Sequence, residues 1–156
     1  MRGQRLAALA LALVGFGACG DAPVSDCPGV GPAYVHLAAG VTCADVAADW
    51  NAARLTLLGA GLTDATLGTW SLVYVVGTAF PAGDGLDASG QTAPANKTIR
   101  IAAGARCSLV HEAFHAYEWD VDHVSNPGHV GWDARGWKAD VAAVCNAPPY
   151  APAVTP

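Results

Sequence analysis

The chain has 156 residues, of which 53% are hydrophobic and 13% charged, with a formal charge of −5 at pH 7. That length supports one domain built on one core. Lysine appears only at Lys97 and Lys138 in this acidic chain, which argues against a nucleic-acid partner.

The first element in chain order reads as a targeting segment. Arg2 and Arg5 precede an apolar run from Leu6 to Phe16, and the small residues Gly17 and Ala18 lead to Cys19. This is the layout of a secretory signal over residues 1–18, too short to span a bilayer as a stable helix. Phe16-Gly17-Ala18-Cys19 also resembles the lipobox of bacterial lipoproteins, with Phe16 in place of the usual Leu. The resemblance implies lipidation of Cys19, a membrane as partner through that anchor, and the bacterial cell envelope as location. Ordinary cleavage nearby gives a secreted protein instead. Cleavage after residue 18 removes two arginines and brings the charge to about −7.

Without Cys19, four cysteines remain: Cys27, Cys43, Cys107 and Cys145. In an oxidising compartment they form two disulfides, with three connectivities open. The expected pairs are Cys27–Cys43 and Cys107–Cys145. Zinc-binding thiolates are disfavoured because no C-x-x-C pair is present.

Residues 19–33 read as a tether, 34–147 as the folded domain and 148–156 as a C-terminal tail. Tyr34 to Ala38 predicts a short strand. Thr42-Cys43-Ala44-Asp45 fits a capping box that opens a helix, followed by Val46, Trp50, Ala53, Leu57 and Leu58 at helical spacing. His36 is read as a strand or surface histidine. Trp70 to Val76, β-branched and aromatic, is the clearest strand signal. Pro81 to Asn96, rich in Gly, Asp, Ala and Pro, is expected to be loop. Asp84 and Asp87 within it are read as solvated turn residues rather than calcium ligands. Lys97 to Ala102 alternates, with Ile99 and Ile101 on one face, and predicts a second strand. Ser108 is expected to cap a helix from Leu109 to about Trp119, with Leu109, Val110, Ala113, Phe114 and Tyr117 on its buried flank. After a polar loop over residues 120–131, Asp133 is expected to cap a last helix to about Cys145, with Trp137, Val141 and Val144 inward. Pro148 and Pro149 end it.

Four of the five histidines and both glutamates fall between His111 and His129. They open with His111-Glu112-Ala113-Phe114-His115, an H-E-x-x-H string of the kind that binds zinc on a helix. Residues i and i+4 lie one above the other on a helix, so both imidazoles reach one ion. Glu112 then stands beside it as a candidate catalytic residue, a general base for a zinc-bound water.

This string and the order of elements around it resemble the zincin metallopeptidases, over roughly residues 40–146. The resemblance implies an α+β fold: a small domain whose short, mostly antiparallel sheet packs on the H-E-x-x-H helix and two further helices. It implies Zn²⁺ as cofactor, a peptide or protein as substrate, and the strand around Ile99–Ala102 as the edge along which a peptide lies.

The third ligand departs from the named subfamilies. Glu118 and Val121 stand where a metzincin carries Gly and His, and Arg135 and Gly136 stand where a thermolysin-like chain carries Glu. His129, in the Pro127-Gly128-His129 turn, is the first candidate. Asp133 is next and would resemble an aspzincin, with Asp140 and His123 behind. Asp140 is also a candidate to orient His111 from behind. Glu118, three residues after His115, can bond a ligand's distal nitrogen but is expected to face solvent, and Trp119, Trp132 and Trp137 are expected to be core or lid residues, with a substrate wall as the alternative. A di-iron site is disfavoured because its second motif and further carboxylates are missing.

The leading expectation is therefore an exported zinc-dependent metallopeptidase that hydrolyses peptide bonds. The alternative is a non-catalytic zinc-binding envelope lipoprotein on a degenerate peptidase fold. A disulfide-stapled structural lipoprotein with an accidental motif is the third reading.

Overall fold

A computed structural model describes residues 24–82 and 86–150. The targeting segment, Cys19 and Asp84 lie outside these residues. Cys27 is buried and bonded to Cys43, and Ser25 Oγ accepts a hydrogen bond from Val35 N at 3.0 Å, so the end of the expected tether is stitched to the domain.

Strand β1 (Tyr34–His36) leads to helix α1 (Cys43–Gly59). The predicted capping box is present: Thr42 Oγ1 accepts from Asp45 N, and Asp45 Oδ2 accepts from Thr42 N. Val46, Trp50, Ala53 and Leu57 are buried as the spacing requires. Leu58, one step further round, is 47% exposed. The helix instead turns a charge inward. Asp49 is fully buried and accepts from Tyr74 OH (2.7 Å), Arg106 Nε (2.8 Å), Arg106 Nη2 (2.9 Å) and Tyr150 OH (2.8 Å). Four donors satisfy that carboxylate and tie α1, the sheet, the start of the next helix and the C-terminal segment together. Burial, reinforced by the Asp49 charge, pushes the Tyr74 phenol well above its ordinary range.

Strand β2 (Ser71–Val75) runs parallel to β1, and β6 (Thr98–Ala102) runs parallel to β2. Between them the chain makes a two-stranded hairpin, β3 (Phe80–Pro81) with β4 (Asp87–Ala88), and then β5 (Gly90–Ala93), antiparallel to β6. The main sheet therefore has the order β1-β2-β6-β5, with two parallel pairings and one antiparallel. This corrects the expectation of a mostly antiparallel sheet. Helix α1 is a crossover between β1 and β2, and a crossover connection returns the chain in the parallel direction. It also corrects the reading of residues 81–96 as loop. The Gly-, Ala- and Pro-rich composition hid β5, whose pairing comes entirely from β6. Asp87 lies in β4 rather than in a turn.

Leu72, Tyr74, Ile99 and Ile101 form the buried face of the sheet. Helix α2 (Ser108–Tyr117) packs there beside α1 and continues into a π-helical turn, Glu118–Asp122. Ser108 does not cap α2: its Oγ pairs with Ser89 Oγ at 2.8 Å, and the N-cap position is held by Cys107. The expected last helix is broken into α3 (Trp132–Arg135) and α4 (Trp137–Cys145) by Gly136, whose φ of 79° favours glycine. Asp133 pairs with Lys138 rather than capping. Trp137 is buried, with Val141 and Val144 packed partly against the core. Both expected disulfides are present, and Cys107–Cys145 ties the base of α2 to the end of α4. The architecture is a small α+β domain with its core between the sheet and α1, α2 and α4.

Candidate metal centre

Helix α2 buries Leu109, Val110, Ala113, Phe114 and Ala116, which leaves His111 and His115 side by side, half-buried, on the remaining flank. Their Nε2 atoms lie 3.2 Å apart. The loop after the π turn brings a third imidazole. His129 Nε2 sits 2.9 Å from that of His111 and 3.0 Å from that of His115. His129 adopts a left-handed φ of 54°, inside a turn closed by His129 N donating to Asn126 O at 3.1 Å. Beneath the three rings lies the indole of Trp132, fully buried, with ring centroids 5.0, 4.7 and 4.6 Å from those of His111, His115 and His129.

An imidazole nitrogen has a single in-plane site, holding either a proton or a lone pair. Three converging Nε2 atoms cannot satisfy one another: one N–H serves one neighbour, and the third nitrogen is left facing its own kind. A cation satisfies all three. An ion held tetrahedrally by nitrogens at about 2.0–2.1 Å keeps them about 3.3 Å apart, close to the separations here. Burial, and then the charge of neighbouring imidazoles, depresses the pKa of His111 to about 4 and that of His115 to about 3. Both rings are therefore neutral at physiological pH, as metal ligands must be. His111, His115 and His129 lie close enough to hold a metal ion.

Glu112 faces β5. The residue is 5% exposed, and Oε2 accepts from Thr92 Oγ1 at 2.7 Å. Burial pushes its pKa up to about 7, while the bond from Thr92 pulls the other way. The strand approaches so closely that a Cβ on Gly90 would meet Glu112 Oε1 at 2.8 Å and Cγ at 2.9 Å. Glu112, Thr92 and the three histidines line one open cavity of about 300 Å³. The strand beside the site is thus β5. Ile99–Ala102 lies in β6, paired on both sides and unable to offer an edge, which corrects that expectation.

The other candidates stand elsewhere. Asp133 is largely exposed and holds Lys138 Nζ at 2.7 Å. His123 is exposed at the end of the π turn. Asp140, half-buried on α4, makes no hydrogen bond or ion pair with His111 among the described residues. His36 is a surface residue beside Asp26.

Glu118 reverses its expectation. It is 3% exposed, not solvated, and sits behind the site. Its Oε1 accepts from Asn126 Nδ2 at 2.9 Å and Trp132 Nε1 at 3.1 Å, and its Oε2 lies 3.7 Å from His115 Nδ1. Asn126 in turn brackets the residue after His129, donating to Val130 O at 3.0 Å and accepting from Val130 N at 2.9 Å. Glu118 therefore links the π turn that continues the helix of His115 to the turn that carries His129. Its spacing of three residues from His115 placed it on the right face of the helix. Nothing in the local sequence signalled Asn126, Thr92 or Gly90. Of the three tryptophans, Trp132 and Trp137 are core, while Trp119 borders the cavity.

Protein-family models, curated proteins and solved structures contain no match to this chain.

Proposed function

We propose that this chain is an exported zinc-dependent peptidase, in which His111, His115 and His129 hold the ion and Glu112 moves protons for water attack on a peptide bond. The observation that carries the reading is the convergence of three imidazoles on one point, in an open cavity that a buried carboxylate also lines. Three nitrogen donors with a position left open are the donor set of hydrolytic zinc. When bound, Zn²⁺ acts as a Lewis acid that acidifies water and polarises a carbonyl.

The chain's own groups do the rest. Glu112, with its pKa near neutrality, accepts a proton from the attacking water and delivers it to the leaving nitrogen as the C–N bond breaks. The water oxygen ends on the acyl carbon, so the products are a carboxylic acid and an amine. Thr92 fixes the carboxylate by its bond to Oε2. Among the described residues β5 pairs with a strand on one side only. Its outer edge offers backbone donors and acceptors to an extended peptide.

Export is supported by the two disulfides, which persist in oxidising compartments. Attachment to a bacterial envelope through Cys19, or release as a secreted protein, completes the proposal. The test is peptide hydrolysis by the purified protein loaded with one equivalent of zinc. Chelation abolishes activity and zinc restores it, while Glu112→Gln keeps the metal and loses about 10²–10⁴-fold in rate. Full activity in that variant refutes the role of Glu112. A zinc-loaded protein that cleaves no peptide refutes the enzyme and leaves a zinc-binding envelope protein.

A further inference from the structure

We infer that the peptidase proposed above cleaves internal bonds of an extended chain and seats a bulky apolar side chain against Trp119 and Val124. The inference rests on that reading and adds its substrate class. The cavity beside the three histidines does not stop at Glu112. A second cavity, of about 490 Å³, opens on the other side, and Gly90, His111 and Glu112 border both. A substrate lying on β5 therefore has room on either side of the reacting bond.

Among the described residues, neither side carries a group to hold a chain terminus beside the site. Besides the three histidines and Glu112, the first cavity has no ionisable lining residue. The second adds only Asp87, three residues before Gly90, which is about 10 Å of extended chain. An enzyme that removes single terminal residues needs a charge for the ammonium or carboxylate within one residue of the scissile bond. None stands there.

Both sides mix polar and apolar walls; the first offers an aromatic face, Trp119 beside Val124, and the second has Ala88, Val141 and the Cys107–Cys145 disulfide. Trp119 is 36% exposed and Val124 47% exposed, and among the described residues no aromatic ring packs on Trp119. The backbone that carries it is anchored, because the acids on either side of it in the π turn both point inward. Glu118 holds Trp132 and Asn126, and Asp120 accepts from Trp70 Nε1 at 2.7 Å and pairs with Lys97 Nζ at 2.9 Å. An exposed aromatic on an anchored turn at the mouth of a site is a platform for an apolar group.

The experiment uses zinc-loaded protein and decapeptides made both with free termini and blocked by acetylation and amidation, with Leu, Phe or Ala at each central position in turn, and products mapped by mass spectrometry. Internal cleavage next to Leu or Phe is expected. The ratio of kcat/KM for Leu or Phe over Ala should fall about tenfold in Trp119→Ala, the loss expected for half-burying such a side chain. Metal content of the variant checks that the centre is intact, and Val124→Ser should lower the same ratio. Cleavage that needs a free terminus, or a ratio unchanged in both variants, overturns the inference and leaves the peptidase reading standing. No cleavage of any peptide by the zinc-loaded wild type overturns both.

Discussion

Truncating Glu118 should weaken the metal centre without touching a ligand. Glu118→Ala removes the acceptor for Trp132 Nε1, on a fully buried indole, and for Asn126 Nδ2. A buried donor left without a partner costs about 1–3 kcal/mol. Asn126 keeps its two bonds to Val130, so the turn survives but loses its attachment to α2. The apo protein should therefore lose about 2–3 kcal/mol, or about 4–12 °C in Tm for a chain of this size. The metal should suffer separately, because His129 is no longer held against His111 and His115. Groups that orient ligands from behind are typically worth 10–100-fold in affinity. Competition titration with a chromophoric chelator measures that affinity, and thermal melts in EDTA measure the apo stability. Glu118→Gln keeps an acceptor oxygen and should fall between wild type and the alanine variant in both assays. Wild-type zinc affinity in Glu118→Ala, with the expected loss of apo stability, would show that Glu118 serves the core alone and refute the link to His129.

Gly90→Ala places a methyl group 2.8 Å from Glu112 Oε1 and 3.0 Å from Ser108 Cβ, and Glu112 is too buried to swing clear. Hydrolysis should drop by tenfold or more, on the order of one misplaced catalytic group, with zinc stoichiometry unchanged by elemental analysis; normal turnover would contradict the close approach. Asp49→Ala leaves the buried Tyr74 hydroxyl without its acceptor while Arg106 keeps its pairing with Asp45, and a buried donor left unpaired costs about 1–3 kcal/mol. Urea denaturation should show that loss, and a change under 1 kcal/mol would deny the network its structural weight. Metal retention should be resistant to acid. Because the folded-state pKa values of His111 and His115 are depressed, the neutral ligand form persists as pH falls below 6.5 and is lost only towards about 4 and 3. Equilibrium dialysis at stepped pH should show zinc bound at pH 5; release with a midpoint near 6.5 would mean that the rings titrate as exposed imidazoles.

Several features of this protein were legible because their causes are local. The i, i+4 spacing of His111 and His115 needs only a helix, and the apolar flank of residues 109–114 supplies one. The Thr42–Asp45 box, the strand at 71–75 and the alternation of Ile99 and Ile101 are likewise set by neighbours a few residues away. Counting cysteines, once Cys19 was set aside, gave two disulfides but left three pairings open, of which the structure has the expected one.

Other features depend on partners distant in the chain. β5 has too little side-chain character to announce itself and exists because β6 offers it a ladder, so the Gly-rich run became the strand beside Glu112. Asp49 and Glu118 look like solvated helix residues until donors from remote segments surround them: Arg106, Tyr74 and Tyr150 for one, Asn126 and Trp132 for the other. Periodicity assigns a face to a residue but not a partner. The choice of His129 over Asp133, Asp140 and His123 was of the same kind, since a turn fourteen residues downstream of His115 can fold towards the helix or away from it. Sequence alone determined the pair of imidazoles and the carboxylate between them. Packing on Trp132, with Glu118 and Asn126 holding the turn, decided what completes the trio, because that energy comes from contacts made only when the chain has closed.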